Sequence, residues 1–247
     1  MNLDRIIAVR NRKTVYRDGD VCVKVFDSSY PTEKILSEAA AAEAARHGGL
    51  DVPAVRGVTT FDGKWAIVSD YVRGETLWHR MRENAADRTA YLRMLAGLQC
   101  RVNALTVTCV ARLRDILTRN IGCAALSAER RDALTAEVCA LPDKAGFCHG
   151  DLTPENLVSA SDGRVYVLDF SHAASGDAAA DAAVTCLWFY LRDMPEAAEE
   201  YLALFCAESG APMSLVRRWM PPVAAALSVG KGERERMRLL SFPGVRE

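Results

Sequence analysis

No run of about eighteen apolar residues occurs in the chain, which argues against a membrane-spanning helix. The start, Met1-Asn-Leu-Asp-Arg-Ile-Ile7, lacks the basic stretch and apolar core of a secretory signal, so the expected location is the cytoplasm. The eight cysteines stand singly, with no Cys-x-x-Cys pair and no histidine at zinc-ligand spacing, which argues against a zinc site. Most lie in apolar stretches such as Val21-Cys-Val-Lys24 and Gly146-Phe-Cys-His149, where a reduced thiol is expected to act as a small core hydrophobe. Charge of one sign is also missing: 31 Lys and Arg stand against 32 Asp and Glu, for a net charge of -1. No long-range field then draws in nucleic acid or an anionic membrane, and neither is an expected partner. The most basic stretch, Lys231-Gly-Glu-Arg-Glu-Arg-Met-Arg238, interleaves acids and reads as a solvated helix face. No internal repeat, low-complexity tract or disordered linker is found.

What is present changes period along the chain. Lys13-Thr-Val-Tyr-Arg-Asp-Gly-Asp-Val-Cys-Val-Lys-Val-Phe26 alternates apolar and polar residues around an Asp-Gly turn and predicts a β-hairpin. Pro31–His47 is rich in Ala and Glu, opens with Pro and closes at Gly48-Gly49, as a helix does. Val52-Pro-Ala-Val-Arg-Gly-Val-Thr59 and Lys64-Trp-Ala-Ile-Val-Ser-Asp-Tyr71 predict two further strands around Phe61-Asp-Gly63. Helices are predicted near 76–83, 87–105, 110–121 and 127–140. Short strands follow at Asn156–Ser159 and Arg164–Phe170, joined by Ala160-Ser-Asp-Gly163. From about 177 to the end the pattern is helical, with breaks expected at Gly210-Ala-Pro212 and Pro221-Pro222. A small mixed region thus precedes a larger helical one, an α+β arrangement.

Three side chains stand at spacings that suit phosphoryl transfer, which needs a carboxylate for the accepting hydroxyl, oxygen ligands for Mg2+ and a cation on the phosphates. Asp151 is followed five positions later by Asn156, so one loop offers a proton acceptor and an amide oxygen. Asp169, thirteen residues beyond Asn156, is expected to end the strand Val165-Tyr-Val-Leu-Asp169, and the turn between the two strands brings Asn156 and Asp169 together. Taken singly, Asp151 and Asn156 are ordinary turn residues and Asp169 an ordinary strand end.

The string His149-Gly-Asp-Leu-Thr-Pro-Glu-Asn156, then Leu168-Asp-Phe-Ser171 and Gly176-Asp177-x-x-x-Asp181, resembles the aminoglycoside phosphotransferase and choline kinase family, within the wider protein-kinase-like fold. The resemblance implies a bilobal α+β fold over 1–247, with a five-stranded antiparallel N-lobe to about residue 70, a linker over 71–76 and a mainly helical C-lobe over 77–247. It covers roughly two thirds of the chain, and the subgroup is one of small bacterial proteins with an undefined substrate. It implies ATP and Mg2+ as cofactors, Asp151 as catalytic base, and Asn156 and Asp169 as metal ligands. Lys24 would bind phosphate, held by Glu38 with Glu43 as second candidate, because Glu38 lies eleven residues before Gly49. Main-chain groups of Asp70, Tyr71 and Val72 would meet adenine, with Tyr71 covering the base. His149 would brace the loop, Asp177 and Asp181 would order its surroundings, and no histidine is assigned chemistry.

Two departures from the family pattern stand out. Ala8-Val-Arg-Asn-Arg-Lys13, where a phosphate-covering loop belongs, has no glycine, so Arg10, Arg12 or Lys13 would have to compensate by charge. Thr153 stands where the family often has His, and Glu155 where it often has Gly. The expected acceptor is a small-molecule hydroxyl, since no Ala-Pro-Glu signature or long activation segment is present. An acidic face for a cationic acceptor would draw on Asp177, Asp181, Asp193, Glu196, Glu199 and Glu200. A pseudokinase without turnover and a protein kinase of the same fold remain the alternative readings. The nature of the acceptor and the oligomeric state stay open.

Overall fold

The period-two alternation in Val21-Cys-Val-Lys-Val-Phe26 makes a strand with two unlike faces, and the tertiary structure uses both. A computed structural model describes residues 5–10 and 12–246, with Arg10 as backbone only. Expectations resting on Met1–Asp4, on Asn11 or on the Arg10 side chain lie outside the described residues. The described residues form two compact units, one from residues 5–83 with 154–173, the other from 84–153 with 174–246.

The first unit begins with β1 (Arg5–Arg10), β2 (Lys13–Asp18), β3 (Val21–Phe26), α1 (Thr32–His47), β4 (Val55–Phe61) and β5 (Lys64–Asp70). The five strands form one antiparallel sheet in the order β1-β2-β3-β5-β4. On one face Val23 and Val25 pack with Ala66 and Val68, flanked by Tyr16 and Val21. On the other, Phe26 packs with Ile67 and with Ile35 and Ala39 of α1. Phe26 and Ile35 are wholly buried, which is worth roughly 2 kcal/mol each in removed apolar surface. The helix opens after Pro31 and stops at Gly48-Gly49, where Gly49 takes φ 89°. After β5 come β6 (Gly74–Thr76) and α2 (Leu77–Glu83).

The second unit continues with α3 (Arg88–Asn103), α4 (Leu113–Gly122), α5 (Ala128–Ala140) and β7 (Gly146–Cys148). The chain then returns to the first unit as β8 (Leu157–Ala160) and β9 (Val165–Val167), which join β6 in the order β6-β8-β9. It re-enters the second unit at β10 (Ala174–Gly176), which pairs with β7. The end of the chain is helical: α6 (Ala178–Leu191), α7 (Pro195–Ser209), α8 (Met213–Leu227) and α9 (Glu233–Leu240).

The structure corrects the sequence reading in several places. Pro221 and Pro222 do not break the chain but lie inside α8. That helix buries Val216, Trp219, Met220 and Val223–Ala226, and this packing outweighs the roughly 3 kcal/mol that an internal proline costs. The expected break at Gly210–Pro212 is present, with Gly210 at φ 71°, and further breaks fall at 192–194, where Asp193 takes φ 57°, and at 228–232, where Gly230 takes φ 80°. β9 closes at Val167, so Asp169 lies beyond the strand end and not at it. All eight cysteines are free thiols, but only Cys148 and Cys186 are buried, while Cys109, Cys123 and Cys139 are exposed. Among the described residues no helix is long and apolar enough to cross a membrane.

Candidate active site

Register decides what faces what in the first unit. Val15 of β2 pairs with Lys24 of β3, and Lys24 pairs with Ile67 of β5; likewise Cys22 pairs with Ser69. Cross-strand partners share a face, so Lys13, Val15, Cys22, Lys24, Ile67 and Ser69 line one cavity of about 400 Å³. Glu38 and Ala39 of α1, Asp70–Val72, Gly74, Asn156, Val158, Leu168 and Asp169 complete much of its wall.

The polar part of this cavity is an ion network. Lys24 Nζ lies 2.5 Å from Glu38 Oε1 and 3.1 Å from Asp169 Oδ1. Glu38 sits on the same buried stripe of α1 as Ile35, Ala39 and Ala45, and only 6% of its side chain is exposed. A carboxylate on an apolar helix face costs several kcal/mol unless paired, which makes Lys24 its necessary partner. Glu43 is turned elsewhere, accepting from Arg46 and from the Val55 amide at 2.7 Å. Asp169 receives a second cation: Lys13 Nζ lies 3.2 Å from each of its carboxyl oxygens and 3.2 Å from Ser171 Oγ. Burial alone would pull the Lys24 ammonium down, but the Asp169 and Glu38 carboxylates outweigh it and hold it above the usual lysine range. Burial likewise pushes Asp169 up, and Lys24 and Lys13 outweigh that and hold it well below the usual carboxylate range.

Asp169 takes φ 62°, a left-handed conformation that costs a non-glycine residue about 1 kcal/mol and that Asp tolerates better than most. The turn aims its carboxylate at Lys24 just after β9 ends. Leu168 N–H donates to Asn156 C=O at 2.8 Å, so the β8–β9 pairing carries Asn156 and Asp169 to the same cavity wall.

At the other side, Asp70 N–H donates to Ala54 C=O at 3.0 Å and Tyr71 N–H to Asp20 C=O at 2.9 Å. Of these three amides, Val72 alone has no backbone acceptor among the described residues. The Arg17 guanidinium lies 4.2 Å from the Tyr71 ring centroid, and the Asp70 carboxylate accepts from Arg56 Nε at 2.6 Å.

In the second unit, the loop that carries Asp151 is tied to α6. Asp181 is 1% exposed and accepts from His149 N–H at 2.9 Å, Gly150 N–H at 2.8 Å, Gln99 Nε2 at 2.6 Å and Asn103 Nδ2 at 3.0 Å. Thr185 Oγ1 donates to Leu152 C=O at 2.9 Å. Gly150 takes φ 76°, open to glycine at little cost, and the Asp151 N–H donates to His149 Nδ1 at 3.2 Å. His149 is wholly buried, while His47, His79 and His172 are exposed.

Of the acidic face expected for a cationic acceptor, Glu196 is exposed, while the other five acids are buried or paired. Asp177 and Asp181 are buried, Asp177 capping α6 through the Ala179 amide at 2.8 Å. Asp193 accepts from Arg238 at 2.6 Å, Glu199 from Arg217 at 2.6 Å and Tyr190 at 2.7 Å, and Glu200 pairs with Arg88 and Thr89. Two residues gain weight over their place in the sequence reading: Lys13, named there only as one of three compensating cations, and Ser171. The signal for Lys13 is its period-two step from Val15, the cross-strand partner of Lys24.

The model of a phosphotransferase enzyme family matches residues 8–219. No curated protein matches the chain. Solved structures do, at the level of fold. A choline/ethanolamine kinase family protein from Mesorhizobium loti aligns with a TM-score of 0.67 at 16% identity, over 99% of this chain and 90% of that one. Choline kinase LicA from Streptococcus pneumoniae gives 0.68 at 16% identity, over 96% and 90%. Aminoglycoside phosphotransferase APH(4)-Ia, in a thermostable mutant form solved with ADP and hygromycin B, gives 0.65 at 15% identity, over 97% and 94%.

Proposed function

As this chain belongs to the phosphotransferase enzyme family, we propose that it moves the γ-phosphoryl group of ATP to a hydroxyl of a small molecule. The reading takes residues 1–247 as one catalytic domain. The observation that carries it is the Lys24–Glu38–Asp169 ion network in the cavity of the first unit.

The residues present suit a nucleotide. Val15, Ile67 and Val158 offer an apolar slot for a flat base, the Val72 amide a donor at its rim, and Lys13 and Lys24 cations for phosphate. They also suit Mg2+: the Asp169 carboxylate and the Asn156 amide oxygen are hard oxygen donors, and Mg2+ takes one or two such ligands when phosphate and water supply the rest. Bound there, Mg2+ would neutralise charge on the β- and γ-phosphate oxygens.

Each residue then has a task. Lys24, fixed in place by Glu38, presents its ammonium to the phosphates at no further cost in side-chain ordering. Asp151 accepts the hydroxyl proton as the acceptor oxygen bonds to the γ-phosphorus. The bond from that phosphorus to the bridging oxygen breaks, and ADP leaves. Asp181 holds the amides of His149 and Gly150 and so sets where Asp151 stands. A small acceptor is supported by the solved neighbours, one named a choline kinase and one holding hygromycin B.

The test is ADP release from Mg2+ and ATP across aminoglycosides, amino alcohols, sugars and hydroxy amino acids, beside Asp151→Asn. One compound that stimulates release in the wild type and not in the variant supports the reading and identifies the acceptor class. A chain that binds no nucleotide would sink it.

A further inference from the structure

The glycine-free hairpin between β1 and β2 poses a question that Lys13 answers. Glycine-rich phosphate loops work by letting backbone amides close on the anion. Here β1 and β2 stay paired up to Arg10 and Lys13, and Arg12, at φ 63°, sends its guanidinium to the Ser29 carbonyl and to Ser29 Oγ at 2.7 Å. Arg12 is thereby committed to the loop before α1, and it does not line the cavity. Lys13 does, with 12% of its side chain exposed.

The two lysines of the cavity differ in what holds them. Lys24 has two carboxylates, Glu38 at 2.5 Å and Asp169 at 3.1 Å. Lys13 has one, Asp169, together with the neutral Ser171 hydroxyl. When Asp169 turns to a metal ion, Lys24 keeps Glu38 as its counter-charge and Lys13 keeps none. A part-buried ammonium left without an anion is costly, and the anion arriving in the same cavity is the polyphosphate.

Resting on the nucleotide reading above, we propose that Lys13 is a second phosphate-binding residue: it occupies both oxygens of Asp169 in the empty site and passes to the terminal phosphates of the nucleotide when metal takes its place. A side-chain cation on the first hairpin thus replaces the amide cradle that the sequence lacks. Lys13 touches substrate in this scheme and adds to the grip on the phosphates farthest from the base.

Equilibrium binding of adenosine, ADP and AMP-PNP, the last two with Mg2+, separates this role from a structural one. In Lys13→Met, which keeps the apolar stem, AMP-PNP affinity is expected to fall about tenfold or more, the worth of a charge-assisted contact. Adenosine affinity should stay within about twofold, since no phosphate is there to lose the contact. Equal losses for adenosine and AMP-PNP, or no loss for either, overturn the proposal. Should Lys13→Met not fold, Lys13→Arg decides, because it keeps the charge but displaces it: a loss confined to ADP and AMP-PNP supports the proposal, and equal losses overturn it. A wild type that gains affinity from added phosphates, with Lys13→Met gaining as much, overturns the Lys13 role alone, whereas a wild type that binds adenosine but gains nothing from phosphates overturns the phosphate role of Lys24 as well. One that binds none of the three overturns the nucleotide reading as well.

Discussion

Replacing Asp181 by Asn changes one atom and disturbs four hydrogen bonds. Oδ2 accepts from the His149 amide, Gln99 and Asn103, and Oδ1 from the Gly150 amide. The Asn oxygen is best left at the Oδ2 position, where it keeps three donors, now on a neutral acceptor. A hydrogen bond to a charged group is worth about 1.5–3 kcal/mol and a neutral one about 1, so even near the weak end of that range these three lose about 2 kcal/mol together. The Asn amino group then faces the Gly150 N–H, and two buried donors oppose each other at a further cost of about 2 kcal/mol. The sum, about 4 kcal/mol, is a large part of the 5–15 kcal/mol that holds a typical domain. Urea unfolding of the variant should show that loss, and exchange of the Gly150 amide with solvent should quicken by about a thousandfold if the loop opens locally. Turnover should fall about a hundredfold for each ångström that Asp151 is displaced, with KM for ATP little changed. A loss below about 1 kcal/mol, with Gly150 protected as before, would refute the idea that Asp181 is what holds the loop.

Lys24→Met leaves the Glu38 carboxylate buried without its cation and should destabilise the protein by about 3 kcal/mol in thermal unfolding. Adding Glu38→Leu should recover most of that stability while nucleotide affinity stays low; recovery of affinity would show that Lys24 does not grip phosphate. Gly74→Ala places a Cβ 2.3 Å from the Ser159 carbonyl oxygen and 2.9 Å from Ala160 Cα. Because both are backbone on the paired strand, the sheet must shift, and chemical denaturation should report a loss of about 2 kcal/mol; an unchanged midpoint would contradict the tight β6–β8 approach. A carbon-13 titration of the Asp169 carboxyl should show no inflection between about pH 5 and 9, because its folded value lies below the usual carboxylate range. The sign follows: the stability that Asp169 contributes is present above the ordinary carboxylate range and is lost as pH falls through its depressed value. Lys24 is the mirror case, its contribution present below the ordinary lysine range and lost only as pH rises through its raised value. An inflection near neutrality would mean that Asp169 is not clamped by two ammoniums.

Much of this molecule was legible in one dimension because it rests on local periods. Alternation in Val21–Phe26 places Lys24 opposite Val23 and Val25 whatever surrounds the strand. The nearness of Asn156 and Asp169 is legible because a strand pair and a turn are contained between them. The Ala-rich helix and its glycine stop follow from propensity alone. Tertiary structure decided what depends on partners distant in sequence. Glu38 and Glu43 lie on the same helix, but five residues turn it by about 140°, so only packing against the sheet settles which acid meets Lys24. Two prolines continue α8 because buried neighbours outweigh their lost bonds, a sum that the residues 221–222 do not contain. The amides of Asp70 and Tyr71 are taken by Ala54 and Asp20, and Glu199 and Glu200 of α7 by Arg217 and Arg88, through contacts that no window of sequence spans. Lys13 reaches Asp169 across 156 residues of chain, and that meeting belongs to the fold because charge, unlike period, carries no mark of whom it will face.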